Sequence, residues 1–151
     1  MSTIKSSEGT EQPIRPAKDH FSSLLGYAFG LSAGAGLIHL METQEHFEHW
    51  FGYGLFFLIA GIAQLVYAVL VAFNPGRSVL LTGLIGHILI LLLYLTTRTV
   101  GIPFFGPDAW AVEPVGAIDL ISKTGEGILM IILAKLLKES ALVQEKEFAN
   151  A

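Results

Sequence analysis

The stretch HLMETQEHFEHW, residues His39–Trp50, is a polar segment between two long apolar ones. It begins at the end of the apolar residues 21–40, and residues 51–73 follow it directly. It holds three of the five histidines together with three glutamates. Because about 20 apolar residues are enough for a helix to cross the hydrocarbon core of a bilayer, we expect the stretch to mark the end of one membrane span and the start of the next.

The rest of the chain extends this pattern. Two further apolar segments, about residues 79–97 and 116–137, bring the number of expected spans to four. Of the 151 residues, 52% are hydrophobic and only 15% are charged, and the mean hydropathy is +0.59, which is too apolar for an ordinary soluble domain. The composition predicts an all-α protein, an integral membrane four-helix bundle over residues 20–138. Residues 1–19 are expected to form a flexible cytoplasmic tail and residues 139–151 a second cytoplasmic tail.

Basic residues predict the orientation. They cluster before the first span, between the second and third spans, and after the fourth, at Lys5, Arg15, Lys18, Arg77, Lys135, Lys138 and Lys146. The positive-inside rule therefore places both termini in the cytoplasm of a multi-pass plasma-membrane protein. The histidine stretch and the proline- and aromatic-rich residues 99–115 would then lie outside, the latter as an ordered interfacial cap over the bundle.

The histidine stretch indicates a metal site. Residues three or four apart share a face of a helix, and imidazole with carboxylate suits zinc, copper or iron. The absence of cysteine excludes thiolate ligands. The predicted ligands are His39, Glu42, His46, His49, Asp119 and Glu126. The alternative is a solvated segment in which histidines and glutamates pair with each other and with water.

A second set of polar residues lies within or beside the expected spans: Gln64, His87, Arg98, Glu113 and Lys123. Glu126 lies about ten residues into the fourth span, where an ionisable group is costly unless it faces a partner or a cavity. Either it forms a buried pair with Lys123, or it is a proton-labile group in a polar pocket. Gln64 is expected to point inward.

Arg98 is expected to pair with Asp119 or Glu113. That ion pair would attach the segment between the third and fourth spans to the bundle. A structural role for Arg98 is favoured over anion binding.

Small residues indicate a contact surface. Gly26, Gly30 and Gly34 repeat every four residues along one side of the first span. Such a ridge lets a neighbouring helix approach closely, so we expect it to contact a second copy of the chain or a larger membrane complex. The lipid bilayer is the other expected partner. The small net charge of -4 and the scattered basic residues exclude a nucleic-acid partner.

Three segments carry a resemblance: EHFEHWFGYGLFF at residues 45–57, TRTVGIPFFGP at residues 97–107, and VGAIDL at residues 115–120. They resemble a group of small prokaryotic four-span membrane proteins of uncharacterised function. The resemblance covers roughly residues 25–137 and implies a fold and a membrane location but no activity. In size and number of spans the chain is also similar to the DoxX-like proteins, some of which are associated with quinol oxidation.

Three functions fit these features. The first is an outward-facing site of histidines and carboxylates that binds a metal ion or a small molecule. The second is a non-catalytic accessory subunit of a larger membrane complex. The third is a quinone-linked enzyme or a proton-coupled carrier, with His87 and Glu126 as its proton-handling groups. The sequence assigns no reaction.

Overall fold

The protein is described by a computed structural model, which covers the backbone of residues 16–149 and the side chains of residues 20–142. It has four helices, α1 (Pro16–His49), α2 (Phe51–Phe73), α3 (Arg77–Thr99) and α4 (Ala117–Ala149). Residues 16–149 contain these four helices and no strand, which confirms the all-α prediction. Of the predicted N-terminal tail, residues 1–15 lie outside the described residues, and residues 16–19 begin α1.

Two helices are longer than predicted. α1 has 34 residues and α4 has 33, so each is about 50 Å long at a rise of 1.5 Å per residue. α1 continues through the histidine stretch because no glycine or proline follows Gly36 until Gly52. Residues 139–149, predicted as a tail, are the last turns of α4, since they are mostly good helix formers. α2 has the predicted bounds, and α3 is two residues longer at each end.

Three helices are long and apolar enough to cross a membrane: His20–His49, Phe51–Phe73 and Arg77–Thr99. Over its described residues, α4 does not meet the same criterion of length, apolarity and few charges. The reason lies in its sequence, where Asp119, Lys123 and Glu126 interrupt the apolar residues. The class of helical membrane protein is therefore supported by three helices, and the fourth differs from them by its charges.

A very short turn joins α1 to α2. Trp50 is the single residue between the two helices, and its backbone is extended. A Cβ atom added at Gly52 would lie 1.9 Å from the Trp50 ring, and one at Gly54 would lie 2.2 Å from the Phe47 ring. These two glycines therefore make room for the aromatic side chains of the turn.

The closest approach of α1 and α2 lies further along the hairpin. A Cβ atom at Gly36 would lie 2.9 Å from the Gly61 carbonyl oxygen, and one at Gly61 would lie 2.9 Å from the Gly36 carbonyl oxygen. By contrast, no atom lies within 4 Å of a Cβ added at Gly26, Gly30 or Gly34. The predicted ridge thus faces away from the other described helices, and a different pair of glycines forms the tight contact.

The bundle is filled at one end. α1 packs against α2 and α4, and α3 packs against α4. A continuous apolar core occupies the half that contains the start of α1, the end of α2 and the start of α3: Leu24, Ala28, Tyr67, Val71, Leu80, Leu129, Leu133 and Leu136. We call this half the packed end. The opposite half, which holds the α1–α2 turn and the α3–α4 loop (residues 100–116), is the loop end.

Candidate functional site

A layer of buried polar side chains crosses the middle of the bundle. Each helix contributes one member, namely Ser32, Gln64, His87 and Glu126, and none of them is more than 3% exposed. The inward orientation predicted for Gln64 is confirmed. This layer separates the apolar core of the packed end from the polar groups of the loop end.

The Glu126 carboxylate is the centre of this layer. It is fully buried, and it accepts a hydrogen bond from Gln64 Nε2 at 2.9 Å and one from Lys123 Nζ at 2.8 Å. Ser32 Oγ donates a hydrogen bond to the backbone carbonyl oxygen of Gln64 at 2.8 Å. The buried Glu–Lys pair that the sequence offered as one interpretation is therefore present. The hydrogen bond between Gln64 and Glu126 links α2 to α4, and the one from Ser32 to Gln64 links α1 to α2.

Several buried polar atoms of this region have no hydrogen-bond partner within the described residues. They include the Tyr67 hydroxyl, His87 Nε2 and Gln64 Oε1. His87 Nδ1 lies 2.8 Å from the Gly83 carbonyl oxygen, which can only accept, so the ring proton is on Nδ1 and Nε2 carries a lone pair. The Tyr67 and His87 rings lie 5.7 Å apart. The Tyr67 and His87 rings are thus in contact, and each side chain has a buried polar atom without a partner in the described part of the chain.

A cavity of about 730 Å³ occupies the loop end. All four helices and the α3–α4 loop line it, and its volume is typical of small-molecule sites, about 300–1,000 Å³. Its apolar walls are Ile38, Phe56, Phe57, Ile90, Leu93, Ile102, Phe105 and Ile118. Its polar groups are His39, Glu42, His46, Tyr53, Tyr94, Thr97, Arg98, Glu113, Asp119, Ser122 and Lys123. The cavity therefore combines a hydrophobic interior with several ionisable groups.

Arg98 attaches the α3–α4 loop to the bundle, as the sequence predicted. It forms ion pairs with both expected partners, Glu113 and Asp119, the latter with an Nη2–Oδ2 distance of 2.8 Å. The same Asp119 oxygen accepts from the Gly116 backbone N–H at 3.0 Å. This arrangement holds the end of the loop and the start of α4 against α3, on one wall of the cavity.

A second attachment joins the loop to the α1–α2 turn. His49 pairs with Asp108. The Tyr53 hydroxyl donates to the Phe105 carbonyl oxygen at 3.2 Å, and the Phe105 ring packs edge-on against Trp50 at 4.9 Å. No role for Asp108 is predicted from the sequence, because only the folded loop brings it near His49.

The predicted metal ligands do not form a metal site in the described part of the chain. His39, Glu42, His46 and Asp119 line the cavity, but no group of three or more His, Cys, Asp or Glu side chains is placed to hold an ion within that part. The remaining two are engaged elsewhere, His49 with Asp108 and Glu126 with Lys123. The zinc, copper or iron prediction therefore has no ligand set among residues 20–142.

His39 and His46 have other contacts. His39 Nδ1 lies 2.9 Å from the Ala35 carbonyl oxygen, and His46 Nδ1 lies 2.7 Å from that of Glu42. The His46 ring stacks on Phe57 with 3.6 Å between centroids. Both imidazoles are thus oriented by the backbone of α1, with each Nδ1 as the donor.

Sequence reasoning missed four polar residues of the cavity: Tyr53, Tyr94, Thr97 and Ser122. Two cations lie over the Tyr94 ring. The Arg98 guanidinium carbon is 4.9 Å from the ring centroid and Lys123 Nζ is 5.6 Å from it, and both are cation–π distances. The helical spacing of Tyr94 and Arg98 was a signal for this contact. Ser122 is 5% exposed and its hydroxyl has no partner among the described residues. Nothing in the sequence around Ser122 distinguishes it from a packing residue.

Fold and site together are those of an all-α protein with three helices apolar enough to cross a membrane, a more charged fourth helix and an amphipathic cavity at one end. The chain matches no known protein family, no curated protein and no solved structure.

Proposed function

We propose that the chain is a four-span protein of the plasma membrane that binds an amphiphilic small molecule in the cavity at its loop end. The observation that carries the proposal is the cavity of about 730 Å³, because it joins extensive apolar walls to charged groups in one volume. If the bundle had only a structural role, we would expect packed side chains to fill the loop end as they fill the packed end.

The burial pattern of α4 supports its assignment as the fourth span. Its two central charges face inward, since the side chains of Lys123 and Glu126 are 12% and 0% exposed. Between residues 120 and 131 its exposed side chains are mostly aliphatic, namely Leu120, Ile121, Ile128 and Ile131. Such a helix presents aliphatic side chains to lipid while its ionisable groups pair inside the bundle.

The distribution of basic residues supports the orientation. With both termini in the cytoplasm, the loop end and its cavity would face outward. A small molecule would then reach the site from outside the cell or from the outer half of the bilayer, and the α3–α4 loop would cover it.

Retention of a ligand tests this function. The protein is purified in a mild detergent and extracted with organic solvent, and the extract is analysed by mass spectrometry. Ser122→Phe should fill the cavity, because Ser122 is buried and lines it. Thr124→Phe is the matched control, since Thr124 lies on the same helix and is exposed.

The expected result is a compound present in near-stoichiometric amount with the wild type and with Thr124→Phe, and lost with Ser122→Phe. If the three extracts have the same composition, the cavity is not a binding site and the proposal fails.

The exposed glycine ridge supports a second proposal, self-association. A methyl group added at Gly26, Gly30 or Gly34 would have no neighbour within 4 Å, so another helix has room to approach these residues closely. We propose that two copies of the chain meet at this ridge. Cross-linking in lipid nanodiscs should trap a dimer of the wild type, and Gly30→Leu should reduce it. An unchanged dimer yield with this variant would exclude the ridge as the contact.

A further inference from the structure

The charges around the cavity are unbalanced. Three carboxylates line it, those of Glu42, Glu113 and Asp119, whereas its two basic groups are Arg98 and Lys123. Lys123 is already paired with the buried Glu126, and Arg98 is shared between Glu113 and Asp119. With the histidines neutral, the whole group has four carboxylates and two cations, and the cavity therefore has a negative potential.

Glu42 is the carboxylate without a partner. It is partly buried on the wall of the cavity. Its backbone carbonyl accepts from His46, but its carboxylate has no ion pair or hydrogen bond within the described residues. A partly buried carboxylate in mostly apolar surroundings favours a cation close by.

The other walls suit an organic cation rather than an inorganic one. No set of three or more ligating side chains is assembled in the described residues, so a bare metal ion has too few donors. Aromatic rings are plentiful instead, from Tyr53, Phe57 and Phe105 among others, and ring faces attract cations. Ser122 Oγ, on the same cavity and 5% exposed, has no partner in the described chain and can contact a polar group of a ligand.

We propose that the cavity selects lipophilic organic cations, with Glu42 as the counter-ion of the bound molecule. This inference rests on the proposed function and adds the chemical class of the ligand. The aliphatic and aromatic walls would hold the apolar part of the molecule, and the excess of carboxylates would reject anions of the same shape.

Binding of tetraphenylphosphonium tests the inference. Its dissociation constant is measured by titration calorimetry with the protein in lipid nanodiscs, and empty nanodiscs correct for partition into lipid. Triphenylphosphine oxide serves as the neutral comparison, because it has the same aryl groups without the charge. Glu45→Gln is the control for Glu42→Gln, since it removes an equal charge from an exposed position of α1 that does not line this cavity.

The cation should bind the wild type and Glu45→Gln saturably and with the same affinity. Glu42→Gln should weaken binding of the cation about tenfold or more. The neutral compound should bind more weakly than the cation, and its affinity should be the same for the wild type and both variants. Equal affinity for the two compounds, or an equal loss with both glutamine variants, would overturn the inference. If neither compound binds, the cation class is also refuted. The extraction experiment with Ser122→Phe would still decide separately whether the cavity holds a ligand.

Discussion

Removal of the amine that neutralises Glu126 should be among the most destabilising changes in the protein. In Lys123→Met the side chain keeps much of its volume but loses its charge. Glu126 is fully buried and then retains a single donor, Gln64 Nε2 at 2.9 Å. An uncompensated buried charge typically costs about 3–5 kcal/mol. We expect Lys123→Met to lower the free energy of unfolding by that amount.

The two carboxylate variants give the size of the coupling. Glu126→Gln retains an oxygen acceptor for Gln64, and the Lys123 amine that it leaves unpaired lies at the edge of the cavity, where its side chain is 12% exposed. We therefore expect Glu126→Gln to lower the free energy of unfolding by a smaller amount, about 1–3 kcal/mol. In the double variant, Lys123→Met with Glu126→Gln, no buried charge remains. Its destabilisation should therefore be less than the sum of the two single changes by at least about 2 kcal/mol.

Equilibrium unfolding measures these differences. The protein in mild detergent micelles is titrated with sodium dodecyl sulfate and monitored by tryptophan fluorescence. Lys138→Met is the control, because Lys138 is on the same helix and exposed, and it should change stability by no more than about 0.5 kcal/mol. If the double variant is as unstable as the sum of the single ones, Lys123 and Glu126 do not act as a pair and the reasoning is refuted.

Two further changes test the packing of the hairpin and the unsatisfied hydroxyl. Gly61→Leu should destabilise the fold by about 2 kcal/mol or more in the same titration, because its Cβ would lie 2.9 Å from the Gly36 carbonyl oxygen. Gly30→Leu meets open space and should leave fold stability unchanged; equal effects of the two leucines would contradict the assigned contact. Tyr67→Phe removes a buried hydroxyl that has no partner among the described residues, so it should be neutral within about 0.5 kcal/mol or stabilising. A loss above about 1 kcal/mol would show that the hydroxyl is hydrogen-bonded after all.

The helices could be predicted from the sequence because their signals are local. Runs of about 20 apolar residues and the turn at Asn74 to Gly76 determine α2 and α3 to within two residues. The ends of α1 and α4 could not be predicted in the same way. Their polar residues suggest a connection and a tail, yet they are compatible with a helix, and hydropathy does not distinguish a helix outside the bilayer from a loop.

Contacts between helices were predictable only where chemistry restricts the partner. Arg98 has few carboxylates within reach, so its pairs with Glu113 and Asp119 could be expected. The glycine contact could not be derived, because a GxxxG spacing shows which residues allow close approach but not which helix approaches. The chain has 16 glycines, and Gly36 with Gly61 carried no sequence signal that Gly30 lacked.

The polar layer explains how a small bundle can contain both a stable core and a cavity. Core residues such as Leu80, Leu129 and Leu133 are fully buried at the packed end, where they belong to one continuous apolar cluster. The Gln64–Glu126–Lys123 hydrogen bonds fix the register of α2 against α4 at the boundary. Beyond it α1 and α2 remain in contact at Gly36 and Gly61, and the ion pairs His49–Asp108 and Arg98–Asp119 connect the turn, the loop and α4 around the cavity. Substitutions of cavity residues that do not contact the layer should therefore change binding more than stability, whereas substitutions in the layer or at Lys123 should change both.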